Sequence, residues 1–188
     1  RDSQWLKPGE KITDRGAYLH MLADGIEQAR QQADQAFDVI LFSTHPMDLE
    51  FCEKLAQLVD GRVVSSTKYL SHDLQAVMRR CELFMGMRFH SVVFASAVGV
   101  PIVGLVYAPK VRGFMRLLDS EKYGLELAEL SDKLLAQRLA HAWNERHALA
   151  AQQKLVIDEL KAGARRAAVT LRERYFTPSS QSTCSVAA

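Results

Sequence analysis

The chain has 188 residues, of which 48% are hydrophobic and 24% charged, with a formal net charge of +2. That length suits one sizeable domain able to bury its own core, and so small a net charge gives no bulk argument for a nucleic acid partner or an anionic membrane. Cys52, Cys81 and Cys184 lie far apart and form no CxxC pair, so neither a disulfide framework nor a zinc motif is supported and a reducing compartment fits best.

In chain order, Thr13 to Ala33 predicts a helix, capped by Thr13 or Asp14, with Tyr18, Met21, Leu22, Ile26 and Ala29 at helical spacing. Phe37 to Ser43 is a short β-prone apolar run and predicts a buried strand. His45-Pro46-Met47-Asp48 leads into a helix carrying Leu49, Phe51, Cys52, Leu55 and Leu58. Arg62 to Ser65 predicts a second strand, and Ser71 or Asp73 opens a helix to about Arg80. Glu82 to Gly86 predicts a third strand, and Ser91 to Val98 a short helix stopped by Gly99 and Pro101. Pro101 to Tyr107 predicts a fourth strand, followed by a helix from Val111 to Leu118. Ser131 to about Tyr175 reads as helical with room for one break, and the serine-rich tail from Thr177 to Ala188 as disordered.

Strands that alternate with helices at this spacing predict an α/β fold with one parallel sheet and helices on both faces. Ligands in such folds bind beyond the carboxyl ends of the strands. Four loops lie there: Ser43 to Asp48, Ser65 to Asp73, Gly86 to Ser91, and Tyr107 to Arg112. Arg88 and His90 fall at a predicted helix N-terminus, where unpaired N–H groups and the dipole favour an anion. Arg88 offers a planar fork for phosphate or carboxylate, and His90 a hydrogen bond or a proton. The plainer alternative makes Arg88 an ordinary salt-bridge partner and His90 a half-buried, satisfied residue. Lys110, in the next such loop, would come close to both; its alternative is a solvated lysine. His45 would contact a phosphate or a sugar hydroxyl, or be a plain loop histidine, while Asp48 suits helix capping. No GxGxxG or Walker-type glycine run and no hydrolase triad signature is present. The remaining histidines show no metal spacing. No apolar run approaches bilayer length and no signal peptide precedes the first helix. The opening Arg1-Asp2-Ser3, without an initiator Met, reads as a fragment of a longer protein.

The run Met87-Arg-Phe-His90, an apolar helix, Gly99-Val-Pro101, a strand, and Tyr107-Ala-Pro-Lys-Val111 resembles the signature of the polysaccharide pyruvyl transferase family. That family typically shows Met-Arg-Leu-His, Gly-(Val/Ile)-Pro and Tyr-Asp-Pro-Lys-Val. Ser43 to Asp48 also resembles a family stretch in which an Asp closely follows a His. The resemblance implies a Rossmann-like domain over residues 1–176, one half of a two-domain GT-B-type architecture whose N-terminal half is absent here. It further implies transfer of a pyruvyl unit from phosphoenolpyruvate to a glycan or lipid-linked sugar as a ketal, with no cofactor or metal. The donor would be held by Arg88, His90 and Lys110, with His90 catalytic, and His45 joins them as a substrate-binding residue through its loop. A cytoplasmic location, at the inner membrane face, is part of the same implication. Two positions depart from the pattern: Phe89 replaces Leu, and Ala108 replaces the Asp beside Lys110. The alternatives are a GT-B-type glycosyltransferase domain that uses a nucleotide sugar, with Glu121 or Glu126 gripping the ribose, and a catalytically degenerate sugar-binding domain.

Overall fold

The structure is a computed structural model that describes residues 14–176. Thr13, Cys184 and the serine-rich tail lie outside the described residues. The first helix, α1 (Arg15–Gln32), is capped by Asp14, whose Oδ1 accepts from Gly16 N at 2.8 Å and Ala17 N at 3.1 Å. Next come β1 (Ile40–Ser43), a single 3-10 turn over Pro46–Asp48, α2 (Leu49–Leu58), β2 (Arg62–Ser65) and α3 (Ser71–Met78). They are followed by β3 (Phe84–Gly86), α4 (Phe89–Ala97), β4 (Ile102–Val106), α5 (Pro109–Leu117) and β5 (Gly124–Glu126). Two helices end the described chain, α6 (Asp132–Asn144) and α7 (Arg146–Tyr175).

The element order is the predicted one, with local differences that have physical causes. The first strand begins at Ile40 and not at Phe37, because the Phe37 ring turns aside onto Trp143, 4.8 Å between centroids. α4 begins at Phe89, ahead of Ser91, since the Ser91 Oγ folds back to donate to Arg88 O at 2.7 Å inside the first turn. It ends as expected at Gly99, whose φ of +88° is open to glycine at little cost. The break in the long C-terminal helical region falls at Glu145. β5 was not expected: three residues that begin with glycine and end with a carboxylate carry no strand pattern.

All strand pairs are parallel, but the expected single sheet is divided in two. β1 pairs with β2, Ile40 opposite Arg62 through Ser43 opposite Ser65. β4 pairs with β3 on one side and β5 on the other. β4 is buried at every residue, as suits a strand covered on both faces. Helices flank the strands: α1 packs along α6 and against α2, while α4 packs against α3 and α7. The α1–α6 contact is close enough that a Cβ on Gly25 would come within 2.7 Å of Leu135 Cδ2 and 3.0 Å of Asp132 O. The molecule is therefore α/β and Rossmann-like.

Two polar groups on α7 tie the core together at the amino ends of the strands. The buried Arg146 donates through Nε to Glu82 at 2.6 Å, through Nη1 to Trp143 O at 2.8 Å and through Nη2 to Gln35 Oε1 at 2.7 Å. Its guanidinium also lies over the Trp143 ring, 4.4 Å from the centroid. Gln153, equally buried, accepts from Ile102 N at 2.8 Å and donates to Ser120 Oγ at 3.0 Å. No helix among the described residues is long and apolar enough to cross a membrane.

Candidate functional site

The carboxyl ends of β1, β3 and β4 bring three of the inspected loops to one edge. Asp48 closes the turn after β1, Arg88 is the N-cap of α4, and Ala108 is the N-cap of α5. Neither α4 nor α5 has a side-chain cap at its N-terminus, so first-turn N–H groups of both face outward beside one another on adjacent strands. Two helix dipoles add there, and an anion is the group such an edge favours.

Arg88 and Asp48 form a two-point pair, Nε to Oδ2 at 2.6 Å and Nη2 to Oδ1 at 2.7 Å. Both side chains keep about a third of their surface in solvent, 37% for Arg88 and 29% for Asp48. Hydrogen bonding to the Asp48 carboxylate holds the Arg88 guanidinium above its ordinary pKa, aided by that carboxylate's charge and by Tyr107, against partial burial. Asp48 makes no capping bond to α2, so the capping role that its position suggests is replaced by this pair.

Lys110, at the second position of α5, extends over two rings, with Nζ 5.6 Å from the Tyr107 centroid and 6.0 Å from that of Phe89. Phe89 in turn meets Phe114 edge-on at 5.9 Å. Lys110 is therefore packed beside the residue that lies between Arg88 and His90, as the βα spacing predicts. His90 is exposed on the first turn of α4, its ring edge-on to Phe89 at 5.8 Å, and is not the half-buried residue of the plainer reading. His45 caps the 3-10 turn by accepting from Met47 N at Nδ1, 3.2 Å, which leaves Nε2 for any outward contact. The buried Ser43 and Ser65 spend their hydroxyls on their own loops: Ser43 Oγ donates to His45 O at 3.0 Å, and Ser65 Oγ bonds Thr67 Oγ1 at 2.9 Å.

The contacts of two members of this edge were not foreseen from the sequence. Asp48 was read as a cap, and its partner lies 40 positions away, a separation no local pattern can bridge. Tyr107 was read only as the end of a strand, although its place between Arg88 and Lys110 follows from the strand–loop spacing. Arg112 and Arg116 are surface charges, paired with Glu126 at 2.6 Å and Glu121 at 3.4 Å. No group of three or more His, Cys, Asp or Glu side chains that could hold a metal occurs among the described residues.

Fold and site together define a Rossmann-like α/β domain with a cationic, anion-favouring edge at its strand carboxyl ends. Residues 21–109 match the family model for polysaccharide pyruvyl transferase, and the likeness is to that family over that stretch. The match takes in His45, Asp48, Arg88 and His90 and stops one residue before Lys110. No curated protein and no solved structure matches the chain.

Proposed function

We propose that this edge binds phosphoenolpyruvate and that the protein transfers its pyruvyl unit to a pair of hydroxyls on a glycan or lipid-linked sugar, as a ketal, with release of phosphate. The observation that carries the reading is the convergence of Arg88, His90, Lys110 and two uncapped helix N-termini within the family-matched segment and its first flanking residue. A small anion that carries both phosphate and carboxylate is what such a set would neutralise. Arg88 Nη1, which does not serve Asp48, and Lys110 take the anionic groups, while Asp48 fixes the plane of the guanidinium. His90, in its protonated form, gives a proton to the methylene carbon, and one sugar hydroxyl adds to C2. Departure of phosphate from C2, with breakage of the C2–O bond, lets the second hydroxyl add there and close the ketal; the two hydroxyl protons leave to solvent or to His90. A second domain facing this edge, as in a GT-B arrangement, would supply the acceptor wall. The nucleotide-sugar alternative needs a carboxylate for ribose, and Glu126 and Glu121 already pair with Arg112 and Arg116.

The test is calorimetric titration of phosphoenolpyruvate, at low salt, into the chain and into Arg88→Ala and Lys110→Ala variants. Weak binding that disappears in both variants is the expected result. Binding unchanged in both would remove the site from this edge.

A further inference from the structure

The two sheets are separated by a cleft of about 1200 Å³ that runs the length of the strands, from Gln35 and Glu82 at the amino ends to Asp48 and Arg88 at the carboxyl ends. Its walls are β1 and β3. Among the described residues β1 is hydrogen-bonded only to β2, and β3 only to β4, so each turns an edge without a described partner strand to the cleft. Its floor is apolar, made by Tyr18, Ile26, Phe51, Leu55 and Leu139. At the amino end, the indole N–H of Trp143 is buried without a partner. Strands covered on both faces should be buried like β4, yet Ile40 keeps 38% of its surface and Leu41, Phe42 and Met85 are only partly covered.

We infer that this cleft is the seat of a sixth, parallel strand, contributed by polypeptide on the N-terminal side of α1. Three observations choose this occupant. First, two open strand edges that face each other offer a full row of donors and acceptors on both sides, which an extended backbone satisfies and a small ligand does not. Second, α1 starts at the carboxyl edge: Tyr18 packs on Phe51 at 6.0 Å, and Arg15 lies close enough to Glu50 to help hold that carboxylate in its charged form. A strand that feeds α1 must therefore finish at that edge, and so runs parallel to β1 and β3. Third, β2 already occupies the other side of β1. A strand–α1–β1 crossover beside the β1–α2–β2 crossover then places the new strand in the cleft. Its chemistry is that of a strand buried on both faces, a run of about four to six apolar, β-branched-rich residues. Residues 1–13 do not supply such a run: Trp5, Leu6 and Ile12 are their apolar members, with Pro8-Gly9 between them. The strand is therefore encoded upstream of Arg1. This inference does not rest on the proposed reaction.

The experiment compares the 188-residue chain with the full polypeptide that its gene encodes, both as Cys184→Ser. The probes are 1-anilinonaphthalene-8-sulfonate fluorescence and maleimide labelling of Cys81, which lines the cleft, with labelled peptides read by mass spectrometry. In the 188-residue chain the dye is expected to bind and Cys81 to label readily. In the full polypeptide both signals should fall about tenfold, and proline placed in the middle of the upstream apolar run should restore them. Three results would overturn the inference: equal dye binding and labelling in the two proteins, a reading frame with no apolar run upstream of Arg1, or protection in the 188-residue chain that grows with its concentration. The last would make a second copy the occupant.

Discussion

Asp48 and Arg88 join the two halves of the divided sheet at its carboxyl edge through hydrogen bonds of 2.6 and 2.7 Å. The pair aims the guanidinium by a fork that lysine lacks. Arg88→Lys in an assembled transferase should lower kcat/KM for phosphoenolpyruvate at least tenfold, about 1.4 kcal/mol of transition-state stabilisation. Because both partners are about a third exposed, Asp48→Asn should cost only about 1 kcal/mol of folding stability. Steady-state kinetics and urea melts check the two effects separately. Unchanged kcat/KM in the lysine variant would take Arg88 out of donor binding.

Arg146 holds the opposite edge. Its fork bonds Gln35, before β1, and Glu82, before β3, so it too spans the division. Arg146→Ala leaves those partners and Trp143 O without their donor. The expected loss is about 3 kcal/mol, read as a fall in Tm of about 6–12 °C for a chain of this size. A Tm within 2 °C or so of the parent would show that the network contributes little.

Ala108 stands where the family pattern has Asp, and the structure makes that position the N-cap of α5 with extended backbone, φ −151° and ψ 154°. A carboxylate there can accept from the first-turn N–H groups of the helix. Ala108→Asp should raise stability by about 0.5–2 kcal/mol, measured as a higher urea midpoint at constant slope.

The Cys52 thiol is pushed up to about 11, first by burial and then by the negative charges of Asp48 and Glu53. In a Cys81→Ser, Cys184→Ser chain, the pH profile of alkylation should therefore have its midpoint near 11, against about 8.5 in urea. The folded thiol holds its proton more tightly than the unfolded one. Its contribution to stability is thus complete below the unfolded value and is lost as pH climbs through the interval to the folded one. A midpoint near the unfolded value in the native protein would show that Cys52 is not shielded.

Much of this fold was legible because strand and helix signals alternate cleanly from Asp14 to Leu118. β2 was read to the residue, since Arg62 and Ser65 bracket a β-branched pair. The division of the sheet was not legible, because whether β1 meets β3 is decided by a lateral neighbour and not by either strand's own residues. Arg88, His90 and Lys110 were legible as one neighbourhood through the βα spacing. The Asp48 partnership was not, and neither was the Arg146 network: an arginine within an exposed-looking helical pattern gives no sign that it turns inward at a helix break.

In the 188-residue chain, where the cleft is open, the divided sheet also sets the order in which the fold loosens. Every residue of β4 is buried, whereas β1 and β2 begin at exposed residues and meet the rest of the core across a cleft. Two cooperative units result, joined by the Asp48–Arg88 and Arg146 clamps. The β1–α2–β2 unit is expected to open first, its amides exchanging with solvent before those of Val103 and Leu105, an order that amide hydrogen exchange would read.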